Sequence, residues 1–284
     1  MSDKTGVSFD TARFKAIERA GYNQIARRYA AAAIQRDALN RKLTETARLA
    51  SGMRVLDLAS GPGTLSISAA GAVGADGMVI ATDLAEAALG ECAASSSRVG
   101  CGNILCAASD AEALSFATGS FDRVLCGLGL MVFPDAERAL SEVLRVLKPG
   151  GAAALSVWGR EQEVPLVACA LVCMRRTLPA PKVARPSIFR FGDAELLHRH
   201  LQHAGFTDIR IEPFPVRATF PDAATYWQAF LDLAGGAAWS LSRISPAQRA
   251  ALATAVEADL APFHCSDGYV LNNVVLIASA RRCA

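Results

Sequence analysis

Val55-Leu-Asp-Leu-Ala-Ser-Gly-Pro-Gly-Thr64 decides how this chain is read. Val55, Leu56 and Leu58 form the apolar run of a parallel strand covered on both faces. Gly61 and Gly63 then supply a turn without Cβ atoms, where the backbone approaches a ligand closely. Thr64 opens a helical run through Leu65, Ile67 and Ala70. A helix starting there aims its free N–H groups and the positive end of its dipole into the turn, an arrangement suited to a carboxylate or a phosphate.

The identity of the ligand turns on two acids. A dinucleotide fingerprint wants Gly or Ala three positions after its second glycine, and this chain has Ser66 there. Asp57, near the end of the strand, would repel a pyrophosphate and attract a cation. The lysine of a P-loop is missing. Asp83 ends the next apolar strand, Met78-Val-Ile-Ala-Thr-Asp83, where an acidic side chain accepts hydrogen bonds from a ribose diol. The site wants a ribose, an anion at the helix start and a cation near Asp57. S-adenosylmethionine carries all three.

The same stretch begins an ordered series: Asp83, Ser109-Asp-Ala-Glu112, Phe121-Asp-Arg-Val-Leu-Cys126, Gly127-Leu-Gly-Leu-Met-Val-Phe-Pro-Asp135 and Val143-Leu-Arg-Val-Leu-Lys-Pro-Gly-Gly151. This series resembles the class I S-adenosylmethionine-dependent methyltransferases, and within them the branch of the ubiquinone/menaquinone biosynthesis enzymes. The resemblance covers Met53 to Trp158 well and the rest weakly. It implies a Rossmann-like α/β fold: a seven-stranded, mostly parallel sheet in the order 3-2-1-4-5-7-6, with the last strand antiparallel. It also implies that Tyr22, on a helix folded over the cofactor, joins Asp57, Ala59, Gly61, Gly63, Asp83, Leu84, Asp110, Ala111 and Cys126 in holding S-adenosylmethionine. Leu84 would pack on adenine, Asp110 accept from its amine and the Ala111 backbone serve a ring nitrogen. Competing roles stand beside these. Asp110 suits a helix N-cap, and Tyr22 and Tyr29 suit ordinary core packing.

Length and composition set outer bounds. The chain has 284 residues, 52% of them hydrophobic and 20% charged, with a net charge of +2. That supports one large domain, or one domain with a cap. No basic tract points to nucleic acid, and no apolar run reaches membrane-spanning length. Small-molecule substrates are therefore favoured. The eight cysteines include no Cys-x-x-Cys pair, and Cys92, Cys101, Cys106 and Cys126, in or beside apolar elements, read as small buried hydrophobes of a reducing cytoplasm. Met1-Ser-Asp-Lys-Thr5 has no signal-peptide core. Oligomeric state, monomer or homodimer, is open.

Three regions are expected. Residues 1–50 form an N-terminal helical lid, frayed to about Thr11, with a stripe of Ile17, Ile25, Tyr29, Ala33 and Ile34 and a break at Gly21. Residues 51–159 form the cofactor-binding core, ending in Trp158, which serves either the pocket rim or the core. Residues 160–284 complete the core and carry helical cap insertions at about 160–191 and 214–266. The sixth strand is expected over Phe206–Glu212, before the chain leaves the sheet at Phe214. Pro179, Pro181 and Pro186 mark a loop, and His198, His200 and His203 decorate a solvent face.

A sulfonium methyl needs only an aligned nucleophile and a dry site. His264, with Asp267 to orient it, is the candidate base; the competing view is a surface histidine. The expected activity is methylation of O, N or C in a small, largely apolar metabolite, as the aromatic cap favours. Two alternatives stay open: arsenite methylation through Cys169, Cys173 and Cys265, and a non-catalytic or regulatory cofactor-binding protein.

Overall fold

The computed structural model describes residues 10–33, 36–179 and 183–284. Five parallel strands form the body of an eight-stranded sheet: β1 (Arg54–Leu58), β2 (Met78–Asp83), β3 (Ile104–Ala108), β4 (Phe121–Gly127) and β5 (Leu147–Trp158). Two long strands, β6 (Thr207–Phe220) and β8 (Gly268–Arg281), pair antiparallel, and β8 also runs antiparallel to β5. The order is β3-β2-β1-β4-β5-β8-β6, with the two-residue β7 (His264–Cys265) appended to β8. This is the expected order, β8 taking the place of the seventh strand.

The sheet is apolar on both faces because alternate residues of each strand face opposite layers. Leu56, Val124 and Leu155 point to one layer, with α5 (Ala136–Val146) and α7 (Ala194–His203). Val55, Val79 and Leu125 point to the other, with α2 (Asp37–Thr46) and α3 (Thr64–Val73). Trp158 is half-buried and touches both layers, between its two expected roles. A third cluster builds the cap from α6 (Pro165–Thr177), α8 (Ala223–Leu233), α9 (Gly235–Leu241) and α10 (Pro246–Leu260). Tyr226 centres it: the buried hydroxyl donates to Leu166 O at 3.0 Å and accepts from the Ala170 N–H at 3.1 Å.

Two expectations are corrected. Gly21 does not break the first helix: α1 runs unbroken over Thr11–Ala33. Gly21 instead sits where α1 crosses α9, and a Cβ there would come within 2.6 Å of the Gly235 carbonyl carbon. The missing side chain serves close helix approach. Nor does the chain leave the sheet at Phe214, since β6 continues to Phe220 through Pro213 and Pro215. β6 is the edge strand, and prolines two apart place their missing N–H groups on the same, unpaired side. Ile34, Pro181 and the stretch before Asp10 lie outside the described residues. Among the histidines, His198 and His203 are exposed, whereas His200 is half-buried edge-on against Phe191, with ring centroids 5.2 Å apart.

Candidate functional site

The C-terminal tips of β1, β2 and β4 open onto one cleft of about 830 Å³, its solvent-open mouth included, roofed by α1. Such a crevice beyond the strand ends is the usual ligand place in an open α/β sheet. Of the residues singled out in the sequence, Ala59, Gly61, Asp83, Leu84, Asp110, Ala111 and Tyr22 line it. Gly127, Leu128 and Gly129 close the β4 side. Ala59 and Leu128 hold left-handed backbone, with φ of 54° and 57°. Conformations of this kind are costly for residues with a Cβ and collect at ligand sites. A pair of N–H···O contacts from Leu128 to the Ser156 carbonyl and hydroxyl, 3.1 and 3.0 Å, fixes the second of them.

Asp83 ties the wall together. Its Oδ2 accepts the Gly61 N–H at 2.9 Å and its Oδ1 the Ala85 N–H at 2.8 Å. Burial pushes its carboxyl up, against these N–H groups, which favour the charged form. Gly61 has φ of +55°, and a Cβ there would lie 2.8 Å from the Tyr29 ring. Gly63 has a different job. It caps α3 at φ of +82° and faces Cys92, whose sulfur a Cβ would overlap, so it lies outside the cleft wall.

Asp57 and Cys126 also stand behind the wall. Cys126 is 1% exposed, and burial pushes its thiol up to about 12. Asp57 is fully buried; its Oδ2 accepts from the Ser66 hydroxyl at 2.5 Å, while Oδ1 has no partner among the described residues. Ser66, off-pattern for a dinucleotide fingerprint, thus has its own task. Burial raises the Asp57 carboxyl from its usual 3.8 to about 7. The folded state therefore holds this proton more tightly than the unfolded chain does. Its contribution to stability is complete below the usual value and is lost as pH rises to about 7. Thermal melts across that window should show stability falling with pH, and Asp57→Asn should flatten the fall. The residual slope belongs to Asp83 and Glu18, both shifted in the same direction by burial. An unchanged slope in Asp57→Asn would remove Asp57 from the account.

The roof was the illegible part. Phe14, Lys15, Glu18, Tyr22 and Tyr29 of α1 line the cleft at helical spacing. Only the two tyrosines carry a sequence signal, because mixed charges on a helix read as a solvated face. Lys15 reaches Asp110 at 2.7 Å and Glu112 at 2.5 Å. Arg19 pairs with Glu86 on α4 (Glu86–Arg98). The tyrosine rings meet at 5.5 Å, and Arg36 donates to the Tyr29 hydroxyl at 2.8 Å. Burial pushes the Tyr22 phenol up, so it stays protonated.

His264 is not brought to the cleft. It is exposed, paired in β7 to β8, and lies edge-on to Tyr269. Asp267 accepts from the Ser266 hydroxyl at 3.3 Å. The cap places His264 on its outside because the short hairpin to β8 turns it toward solvent.

Comparison with known proteins agrees with this geometry. A family model described as a methyltransferase domain matches residues 55–151. A demethylmenaquinone methyltransferase of Parafrankia sp. is 37% identical over 182 residues, covering 56% of this chain and 69% of the relative. A ubiquinone/menaquinone biosynthesis C-methyltransferase, UbiE, of Idiomarina loihiensis is 32% identical over 172 residues, 53% of this chain and 65% of the relative. Among solved structures, phosphoethanolamine N-methyltransferase 2 of Haemonchus contortus, in complex with S-adenosyl-L-methionine, shares the fold. Its TM-score is 0.52 at 19% identity, over 85% of this chain and 51% of that one. A Rossmann-like sheet with a cleft at its strand tips, in a chain with such relatives, defines a methyl-transferring enzyme. The chain belongs to the class I S-adenosylmethionine-dependent methyltransferases.

Proposed function

We propose that this enzyme methylates a small, largely apolar metabolite, with the cleft under α1 holding both donor and acceptor. The observation that carries the proposal is the convergence of Asp83, Gly61 and the β4 tip on one cleft closed by an aromatic helix. The residues present fit S-adenosylmethionine. Asp83 keeps free lone pairs for a ribose diol, since each of its oxygens accepts one N–H. The start of α3 has no side-chain cap and leaves N–H groups for a carboxylate. Asp57 Oδ1 is an unanswered acidic oxygen behind the same turn. When bound, the cofactor supplies an electrophilic methyl group. The chain's own part is to bind, to orient and to exclude water.

Asp110 serves adenine only by sharing its carboxylate with Lys15, because Oδ2 already accepts from that ammonium. Three regions divide the work: a lid at 1–50, the core at 51–159, and the cap-bearing remainder, with insertions at about 160–191 and 214–266. The acceptor half is walled by Phe14, Leu128, Val132 and Phe133, which suits an apolar molecule better than a nucleic acid. The same apolar wall is why a metabolite like those of the quinone-methylating relatives is favoured. No described helix is long and apolar enough to cross a membrane. The cysteines are free, in keeping with a reducing cytoplasm; Cys92 and Cys126 are buried, but Cys101 is half-buried and Cys106 exposed, against their reading as buried hydrophobes.

Nothing favours arsenite. Cys173 is buried, Cys169 and Cys265 are half-buried, and burial pushes the Cys169 thiol up to about 11. No metal-holding group of three His, Cys, Asp or Glu residues forms among the described residues.

Titration with S-adenosylhomocysteine tests the binding half. At a hundredfold excess over Kd the folded state should gain about 2.7 kcal/mol, with a matching rise in Tm. A flat calorimetric trace and an unmoved Tm would sink the proposal. Labelled methyl donor incubated with apolar metabolite extracts tests the transfer half. Tight binding with no labelled product would favour a non-catalytic, regulatory protein.

A further inference from the structure

We propose that Cys92 and Cys106 form a redox-sensitive dithiol: a hydroperoxide closes the pair into a disulfide, and the closed form releases the cofactor. The cofactor half of this inference rests on the methyltransferase reading above; the covalent half does not.

The two cysteines stand on elements packed face to face. α4 lies over β3. Ile104 of β3 turns toward the layer of α3, and Cys106, two residues on, shares that side of the strand. Cys92 belongs to the buried stripe of α4, with Ala88, Leu89 and Ser96. It is fully buried, and its thiol meets the Cys106 thiol in a hydrogen-bond contact. Cys106 is exposed, because β3 is a free edge of the sheet. Neither is in a disulfide. An accessible thiol resting on an inaccessible one is the arrangement in which the first oxidation product is trapped before it reacts further.

The step balances with hydrogen peroxide. The Cys106 thiolate attacks the O–O bond; a sulfenic acid forms, and the other oxygen leaves as water. The Cys92 sulfur then attacks the Cys106 sulfur. An S–S bond forms, the S–O bond breaks, and the hydroxyl departs with the Cys92 proton as a second water. Two thiols are oxidised and one peroxide is reduced. Burial pushes the Cys92 thiol up, so Cys106 meets the oxidant first and Cys92 follows. Contact between the sulfurs offsets the small thiolate fraction of Cys92.

Cys92 is placed to pass this event to the cofactor end. Its sulfur occupies the space beside Gly63, where a Cβ would lie only 2.1 Å from it. Gly63 caps the start of α3. α4 itself begins at Ala85, whose N–H is held by Asp83 at 2.8 Å, and at Glu86, which pairs with Arg19 of the roof. A disulfide holds its sulfurs about 2.0 Å apart, far inside the contact distance of two thiols. Closure therefore draws Cys92 toward β3. β2 separates β3 from β1, so the pull is away from Gly63. The start of α4, with its bonds to Asp83 and Arg19, is drawn along.

The test compares reduced full-length protein with protein treated with hydrogen peroxide and then freed of it. Peptide mass spectrometry should find a Cys92–Cys106 disulfide in the treated sample. Calorimetry should show its Kd for S-adenosylhomocysteine raised at least about tenfold, the loss of one hydrogen bond to a charged group. Dithiothreitol should restore the reduced value. Cys106→Ser, at an exposed position, should bind alike before and after peroxide. Absence of this disulfide from treated wild type overturns the proposal, as does a bridge from Cys106 to any other cysteine. So does a disulfide that leaves Kd unchanged, or a loss of affinity that persists in Cys106→Ser. Failure of S-adenosylhomocysteine to bind the reduced protein would overturn the methyltransferase reading instead. The mass spectrum decides the covalent half in either case, so the two failures are distinguishable.

Discussion

Asp83→Ala should cost the protein most of its cofactor affinity while leaving it folded. The carboxylate is the acceptor the cleft offers at the tip of β2, and it also anchors the Gly61 and Ala85 N–H groups at 2.9 and 2.8 Å. Hydrogen bonds to a charged partner contribute about 1.5–3 kcal/mol, so losing the proposed ribose acceptor should weaken S-adenosylhomocysteine binding roughly 10–150-fold. The effect on stability is smaller than the two orphaned N–H groups alone would indicate. Burial already disfavours the Asp83 charge, as its raised carboxyl shows, and removing it relieves that cost. Water entering from the cleft can also answer the freed N–H groups, because the residue stands in the cleft wall. Calorimetry and thermal melts on the same sample separate the contributions. Unchanged Kd with a lowered Tm would make Asp83 a structural brace only. A lowered affinity with a nearly unchanged Tm is the expected pattern. Asp83→Asn should retain one N–H acceptor and lose less affinity than Ala.

Why the place of Asp83 in the cleft wall was legible and that of Glu18 was not is a matter of range. Strand, turn and helix around Gly61 are local, and an acid at the end of the following strand is set by the same local pattern. The strand order came from the family resemblance, whereas the local pattern speaks only for buried, parallel strands with right-handed connections. The roof obeys a different rule. Lys15, Glu18 and Arg19 sit on α1 as they would on any solvated helix, and only partners far along the chain (Asp110, Arg185, Glu86) give them meaning. The continuation of β6 through two prolines was hidden for a related reason: proline argues against a strand unless the strand is known to lie at an edge. Ser66 shows the converse. It looked like a flaw in a glycine motif and is the hydrogen-bond donor to Asp57.

Gly21→Ala sets two known effects against each other at the contact that holds the roof down. In an isolated helix the change would stabilise, since alanine exceeds glycine by about 0.5–1 kcal/mol in a helix interior. Here the new methyl would come within 2.6 Å of the Gly235 carbonyl carbon, and within 3.1 Å of the Gly236 nitrogen. Those are backbone atoms, which cannot rotate away. Overpacking of this kind costs about 1–3 kcal/mol, so the clash should win and Tm should fall. The consequence extends beyond stability. Pushing α1 off α9 also disturbs Tyr22, whose ring packs beside Gly235, and Glu18, which packs beside Gly236. Both line the cleft, so S-adenosylhomocysteine affinity should drop with Tm. A control on the exposed side of the same helix, Gln24→Ala, should leave both unchanged. If Gly21→Ala instead raises Tm and spares binding, α1 and α9 are not in contact in solution. The roof would then close by some other route than two glycines meeting backbone to backbone.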